Sequence, residues 1–413
     1  MDAAAGFGAT GPEGRATPSG DGPWVNTWVS MPQLTEPQNL PPEPFTQDRM
    51  VLADSTLRQT IHTSVGGRRM RLRFSNAFGG TALPITTASV ALPVDGQAGV
   101  SAIQAGSARP VTFGGRSSVV VPAGAQVVSD PVDLVLAPRS NLTVTIYLAE
   151  GQPSRGVTSH PGSRTTSYLL AGNQVEAEDL PAATCTEHWY FLSGVEVCSG
   201  NTTMAVAILG DSLTDGRGST TNMNNRWPDQ WLERLQANRR TAGIAILNQA
   251  AGGNRVLNDG LGPNALARLD RDVLAQSGVI WLIVFEGVND IGTAEATAAA
   301  QKRIADDLIA AYDQIIIRAH ARGIRVYGAT LSPFGGNADY DDPDGYREAA
   351  RQAVNGWIRT SRRFDSTIDF DLATRDPENP RQLLATVDGG DHLHLNPAGY
   401  RALAEAVPLR LFQ

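Results

Sequence analysis

Cysteine is almost missing from this 413-residue chain, which holds only Cys185 and Cys198. With no Cys-x-x-Cys pair and no histidine ladder beside them, a metal site is not expected. A basic stripe is missing as well: the formal net charge is -8, which argues against a nucleic-acid surface. The longest uninterrupted apolar runs, such as Val279 to Phe285, fall far short of the ~20 residues that a membrane span needs. No repeat of fixed period stands out, which disfavours solenoids and propellers. Residues 1 to 22 lack the basic start and apolar centre of a signal peptide. Rich in Gly, Ala, Pro and Ser, they are expected to form a flexible tail.

What is present is globular: 41% of residues are hydrophobic and 18% charged. The length exceeds one ordinary core, so two domains are expected. From Trp24 to about Asn201 short β-rich runs alternate with Gly, Pro, Asn and Asp turns. They are Thr56 to Val65, Met70 to Phe78, Ile85 to Leu92, Ser118 to Val121, Leu142 to Leu148 and Trp189 to Val195. Leu142, Val144, Ile146 and Leu148 share one face, the period of a half-buried strand. An all-β sandwich over residues 23–200 follows.

Past Asn201 the rhythm becomes strand, loop, helix. Strands are expected at Ala205 to Leu209, Ile244 to Leu247, Val279 to Phe285, Arg325 to Leu331 and Thr367 to Phe370. Helices are expected at Asp229 to Arg239, Asn264 to Gln276, Ala298 to Arg322 and Gly345 to Arg362, with a last one after Asn396-Pro397. Five strands alternating with helices call for a three-layer, doubly wound parallel sheet of flavodoxin-like type over residues 201–413.

The chemistry gathers around MAVAILGDSLTDGRG, residues 204 to 218. A buried strand here stops at Gly210-Asp211-Ser212, which sets Ser212 at the carboxyl edge of the sheet, where open α/β sheets place ligands. A serine after a strand is ordinarily a turn or capping residue. It becomes a nucleophile only if a base and an oxyanion site accompany it. Of the six histidines, His62, His188 and His320 suit structural or surface roles. The loop Asp388 to Tyr400, reading DGGDHLHLNPAGY, lies between the last strand and the last helix. Asp391 precedes His394 by three residues, close enough for its carboxylate to take the Nδ1 proton and turn Nε2 toward Ser212. His392, adjacent to Asp391, is the poorer base. Donors for an oxyanion are available after the second strand, at Gly252 and Gly253, and after the third, at the amide of Asn289.

These blocks, GDSL at 210 to 213, the glycine block at 248 to 253, GVND at 287 to 290 and DHLH at 391 to 394, resemble the GDSL or SGNH hydrolase family in order and placement. The resemblance implies Ser212 as nucleophile, His394 as general base and acid, and Asp391 as its orienting partner. It implies an oxyanion hole from the Ser212 N–H, the Gly253 N–H and the Asn289 amide, with no cofactor and no metal. Ala250-Ala251-Gly252 stands where many members carry a Gly-Ile-Ser-like run, which leaves Gly252 as an alternative to Gly253. The β-rich half, with RFSNAFG from Arg73 and SHPGSRTTSY from Ser159, is similar to the accessory domain of a two-domain branch that includes secreted carbohydrate esterases.

The expectation is a serine esterase acting through an acyl-enzyme, on short acyl groups of a carbohydrate such as acetylated xylan. The alternatives are a lysophospholipase or general short-chain esterase, and a carbohydrate-binding protein without chemistry. No GxSxG elbow occurs to suggest an α/β-hydrolase, and Gly210-Asp-Ser-Leu does not supply the GxGxxG that a dinucleotide site needs after its first strand. Gly216 to Trp231, Pro333 to Tyr346 and the stretch around His160 are expected to line the rim. Trp227 and Trp231 are read as core, and Glu286 is expected to pair with Arg255. A Cys185–Cys198 disulfide and sequons at Asn141 and Asn201 point to a secreted protein; a monomer with no membrane span is expected.

Overall fold

The computed structural model describes residues 22–199 and 203–413. The tail expected over residues 1 to 22, apart from Gly22, and the sequon at Asn201 lie outside the described residues.

The N-terminal part is built of antiparallel sheets. One orders the strands Trp24–Val29, Leu192–Cys198, Gly67–Ser75 and Gln126–Val128, with Val132–Leu136 also paired to Gly67–Ser75. Another, of six strands, runs Thr184–Thr186, Ser167–Ala171, Ser55–His62, Asn141–Leu148, Thr87–Ala91 and Arg109–Val111. The alternation in Gly67–Ser75 shows why: Met70, Leu72 and Phe74 are buried, while Arg69, Arg71 and Arg73 lie on the other face. Met70, Leu72 and Phe74 join Leu57, Ile61, Val144 and Ile146 of the six-stranded sheet in one hydrophobic core. A three-stranded sheet joins Trp189–Tyr190, Thr158–His160 and Gln33–Leu34.

Several boundaries differ from the sequence expectation. Ile85 to Leu92 is two strands, because Leu83–Ile85 pairs with Val119–Val121 in a sheet of its own. Trp189 to Val195 is broken at Phe191, whose φ of 62° ends one strand before the next begins. The expected disulfide is absent. Cys185 sits opposite Tyr168 in the six-stranded sheet, Cys198 opposite Trp24 in the other, and both are free thiols. Separate sheets hold the two residues, so their closeness in sequence does not bring them together. That removes the support the pair lent to an oxidising compartment. At Asn141 the side-chain amide already donates to the Gly96 carbonyl, and its oxygen meets His62 and Asn224.

The C-terminal part carries a five-stranded parallel sheet. We label its strands β1 (Met204–Gly210), β2 (Ile244–Ala250), β3 (Val279–Phe285), β4 (Arg325–Ala329) and β5 (Ser366–Ile368). Their order is β2-β1-β3-β4-β5. β1 is apolar and buried almost throughout, as a strand flanked on both sides requires. The helices between strands include Trp227–Gln236, Ala298–His320, Tyr346–Thr360 and Pro397–Ala406, within a few residues of the periodic stretches. The expected helix from Asn264 to Gln276 is instead α-helical over Ala265–Leu269 and π-helical over Asp270–Leu274. Among the described residues, no helix is long and apolar enough to cross a membrane.

Two features place the site. Gly210 at the end of β1 stands level with Ala250 of β2 and Phe285 of β3, so the three loops that follow leave the sheet at one height. The two parts also share packing: Ala205, Ala245 and Leu247 of the parallel sheet belong to the same buried cluster as Val25, Trp28 and Val195.

Candidate active site

Ser212 opens the one-turn helix Ser212–Asp215 directly after β1. Asp211 caps it, its carboxylate accepting the Leu213 N–H at 3.0 Å, and Gly216 closes it with φ 96° in the left-handed region that glycine tolerates. As the first helical residue, Ser212 has no preceding turn to take its own N–H.

The histidine loop is shaped by one carboxylate. Asp391 Oδ1 accepts the backbone N–H groups of Leu393 (3.1 Å) and His394 (2.8 Å), and Oδ2 meets His394 Nδ1 at 2.6 Å. Because a carboxylate only accepts, Nδ1 carries the proton and Nε2 is left with a lone pair. That nitrogen lies 2.9 Å from Ser212 Oγ. Both residues are largely shielded, Ser212 being 6% and His394 8% exposed. Burial lowers the His394 pKa below its ordinary value, and contact with Asp391 opposes this in part. Burial works to raise Asp391, but its bonds from the His394 ring and backbone prevail and hold it at about 2. His392 turns the other way, toward Asp388 Oδ2 at 2.6 Å, and is exposed.

The glycine block resolves into two roles. The Gly252 N–H donates to Asp215 Oδ2 at 3.1 Å. The Gly253 N–H, on a residue with φ 72°, meets no acceptor among the described residues and lines the same cleft as Ser212 and His394. Asn289 joins them from the short helix Val288–Thr293 that follows β3. Its Nδ2 donates one hydrogen to the Asn254 carbonyl at 2.8 Å, and its Oδ1 accepts the Tyr340 hydroxyl at 2.8 Å, which leaves the second amide hydrogen unclaimed. Burial lifts the Tyr340 hydroxyl to about 12, so its proton stays available for that bond.

Sequence reasoning missed the supports underneath. Arg268 is fully buried, with its guanidinium bonded to the Gly210 and Gln249 carbonyls, Asn254 Oδ1 and Glu286 Oε2. One cation thereby ties together the ends of β1, β2 and β3. Glu286 pairs with Arg268 at 3.3 Å rather than with Arg255, which reaches the Asp259 carbonyl and Thr293. The spacing of Arg268 to Asp272 is that of a solvated helical pair, so nothing in the chain marks it as central. Asp290 is likewise structural, taking the N–H groups of Val256 and Leu257 at 2.9 Å each.

The cleft over Ser212 has a volume of about 460 Å³. Arg217, Tyr340 and the stretch from His160 to Arg164 contribute to it from the three regions expected to form the rim, and Gln33, Glu36 and Asn39 join from the N-terminal part. Trp227 and Trp231 are fully buried core residues.

Residues 208–402 match the profile of the GDSL-like Lipase/Acylhydrolase family. Similar solved structures include an acetyl xylan esterase, AlAXEase, at 21% identity, covering 49% of this chain and 97% of that one with a TM-score of 0.37. A catalytic mutant of Axe2, an acetylxylan esterase from Geobacillus stearothermophilus, is 22% identical and covers 50% of this chain and 93% of that one, with a TM-score of 0.38. No curated protein matches the chain. The matched segment, which carries Ser212, Asn289 and His394, is a GDSL-like lipase/acylhydrolase domain.

Proposed function

We propose that the protein is a carboxylic ester hydrolase working through an acyl-enzyme on Ser212, with a β-sandwich domain over 23–200 ahead of a three-layer catalytic domain over 201–413. The observation that carries this reading is the line of contacts from Asp391 through His394 to Ser212, at 2.6 and 2.9 Å. In that arrangement His394 Nε2 takes the Ser212 proton as Oγ attacks the ester carbonyl. The Ser212 and Gly253 N–H groups and the free hydrogen of Asn289 receive the charge that develops on the carbonyl oxygen. His394 then returns the proton to the departing alcohol, and the acyl group remains on Oγ. Water, deprotonated by the same imidazole, attacks the acyl carbon, and the acid leaves with Ser212 restored.

The alcohol side is proposed to be carbohydrate and the acyl group short. Gln33, Glu36, Asn39, Arg164 and His188 supply donors and acceptors suited to a hydroxyl-rich partner. Among the described residues, Pro161, Leu261 and Leu393 are the aliphatic side chains lining the cleft, too few to sequester a long chain. Acetate release from acetylated xylan, compared with fatty-acid release from lysolipids, tests this. Preference for long acyl chains would replace the carbohydrate reading with a lipolytic one. Purified Ser212→Ala retaining wild-type hydrolysis of p-nitrophenyl acetate would remove the nucleophile altogether.

A further inference from the structure

The N-terminal part reaches the nucleophile turn through a buried histidine that the reaction above does not use. His160 ends the strand Thr158–His160, with its ring stacked on Trp189 at 5.7 Å between centroids. Its Nδ1 lies 3.0 Å from the Met31 carbonyl and its Nε2 lies 2.8 Å from Asp215 Oδ1. A carbonyl and a carboxylate both accept, so in this arrangement both ring nitrogens donate. Asp215 lies three residues after Ser212, at the end of the same helical turn, and its second oxygen is the one that takes the Gly252 N–H.

The fit around this carboxylate is close. A Cβ on Gly162 would fall 1.8 Å from Asp215 Oδ2, so only glycine lets the N-terminal backbone close over it. Arg164 and Arg226 add positive charge to its surroundings. Asp215 is fully buried, and burial alone would favour its neutral form; His160 first, and the two arginines after it, hold it on the carboxylate side.

We propose that His160 is a positioning residue for the hydrolysis: by fixing Asp215, it pins the Gly252 peptide and so keeps the Gly253 N–H turned toward the oxyanion. The proposal rests on the ester-hydrolase reading and on Gly253 as a donor. A pair of glycines has little conformational preference of its own, and an N–H in the wrong orientation stabilises nothing in the transition state. If Asp215 loses its partner it gains a proton or rotates, and the bond that fixes the turn weakens. On this account the β-rich part completes the catalytic centre instead of only tethering it to a polymer.

The test uses the full chain with p-nitrophenyl acetate. His160→Ala is expected to lower kcat about tenfold or more while KM stays within about twofold, because an oxyanion donor acts mainly in the transition state. His160→Gln, whose amide N–H can still reach Asp215, is expected to recover part of the loss. Asp215→Ala removes the acceptor for Gly252 and is expected to match His160→Ala, with the double variant no worse than either, as members of one chain of contacts require. If His160→Ala fails to fold, as judged by circular dichroism and Tm, His160→Gln and Asp215→Ala carry the same comparison. Unchanged kcat in folded variants, or a loss confined to KM, overturns the proposal. A wild-type protein without esterase activity, or one matched by Ser212→Ala, sinks the ester-hydrolase reading instead, and the two failures are distinct.

Discussion

The Tyr340 hydroxyl donates to Asn289 Oδ1 at 2.8 Å, and this bond decides which way the amide faces. An asparagine can rotate by half a turn at little cost, and the flipped form would present an acceptor to a developing anion. With its oxygen held by Tyr340 and one hydrogen by the Asn254 carbonyl, only a donor remains for the cleft.

Removing that hydroxyl is therefore expected to slow turnover without removing the donor. Tyr340→Phe should lower kcat by roughly fivefold, the worth of one ordinary hydrogen bond at about 1 kcal/mol. Asn289→Ala should cost about 10²–10³ while leaving the fold intact. Steady-state kinetics on both variants checks the ranking; a Tyr340→Phe loss as large as that of Asn289→Ala would contradict it.

The pH profile should report His394. General-base catalysis needs the neutral imidazole, and burial holds its pKa below the ordinary 6.5, so kcat/KM should rise with pH to a plateau through a midpoint below that value. Asp391→Asn removes the neighbour that raises the pKa, so the midpoint should move lower still. It should also drop the plateau by about three to four powers of ten, because the ring loses its tautomer. A wild-type midpoint above 6.5 would count against this assignment.

Glu286 should make stability fall as the solution turns alkaline. Burial raises its carboxyl from 4.5 to about 8, with Arg268 opposing and Asp211 adding to the rise. Between those values the folded chain keeps a proton that the unfolded chain has released, so folding weakens as pH climbs through the interval. Denaturant midpoints at pH 5 and pH 8 should differ less in Glu286→Gln than in the wild type. Equal differences in the two proteins would reject the account.

The thiols offer a direct check on the fold. Cys185 is exposed and Cys198 half-buried, and neither is bonded to the other. A thiol reagent should label Cys185 first in the native protein and two groups per chain in denaturant; no free thiol after denaturation would mean that the pair is oxidised.

Much of this molecule is readable along the chain. The apolar run from Ala205 to Leu209 reads as a buried strand, and its end sets Ser212 at the sheet's edge, because a short run free of charge and turn residues suits burial on both faces and stops where Gly210-Asp211 begins. Asp391 and His394 are three residues apart, so a local turn suffices to join them, and their contact follows from short-range geometry. The tertiary structure alone decided the rest. Which glycine keeps a free N–H depends on Asp215, 37 residues away from Gly252. Arg268 holds three strand ends, and His160 meets Asp215 across the two halves of the protein, through pairings that no periodicity encodes. A buried polar group takes whichever partner the packing brings within about 3 Å, and that partner is set by how the sheets assemble rather than by its neighbours in sequence. Cys185 and Cys198 show the converse, being close in the chain and held apart by the sheets to which their strands belong.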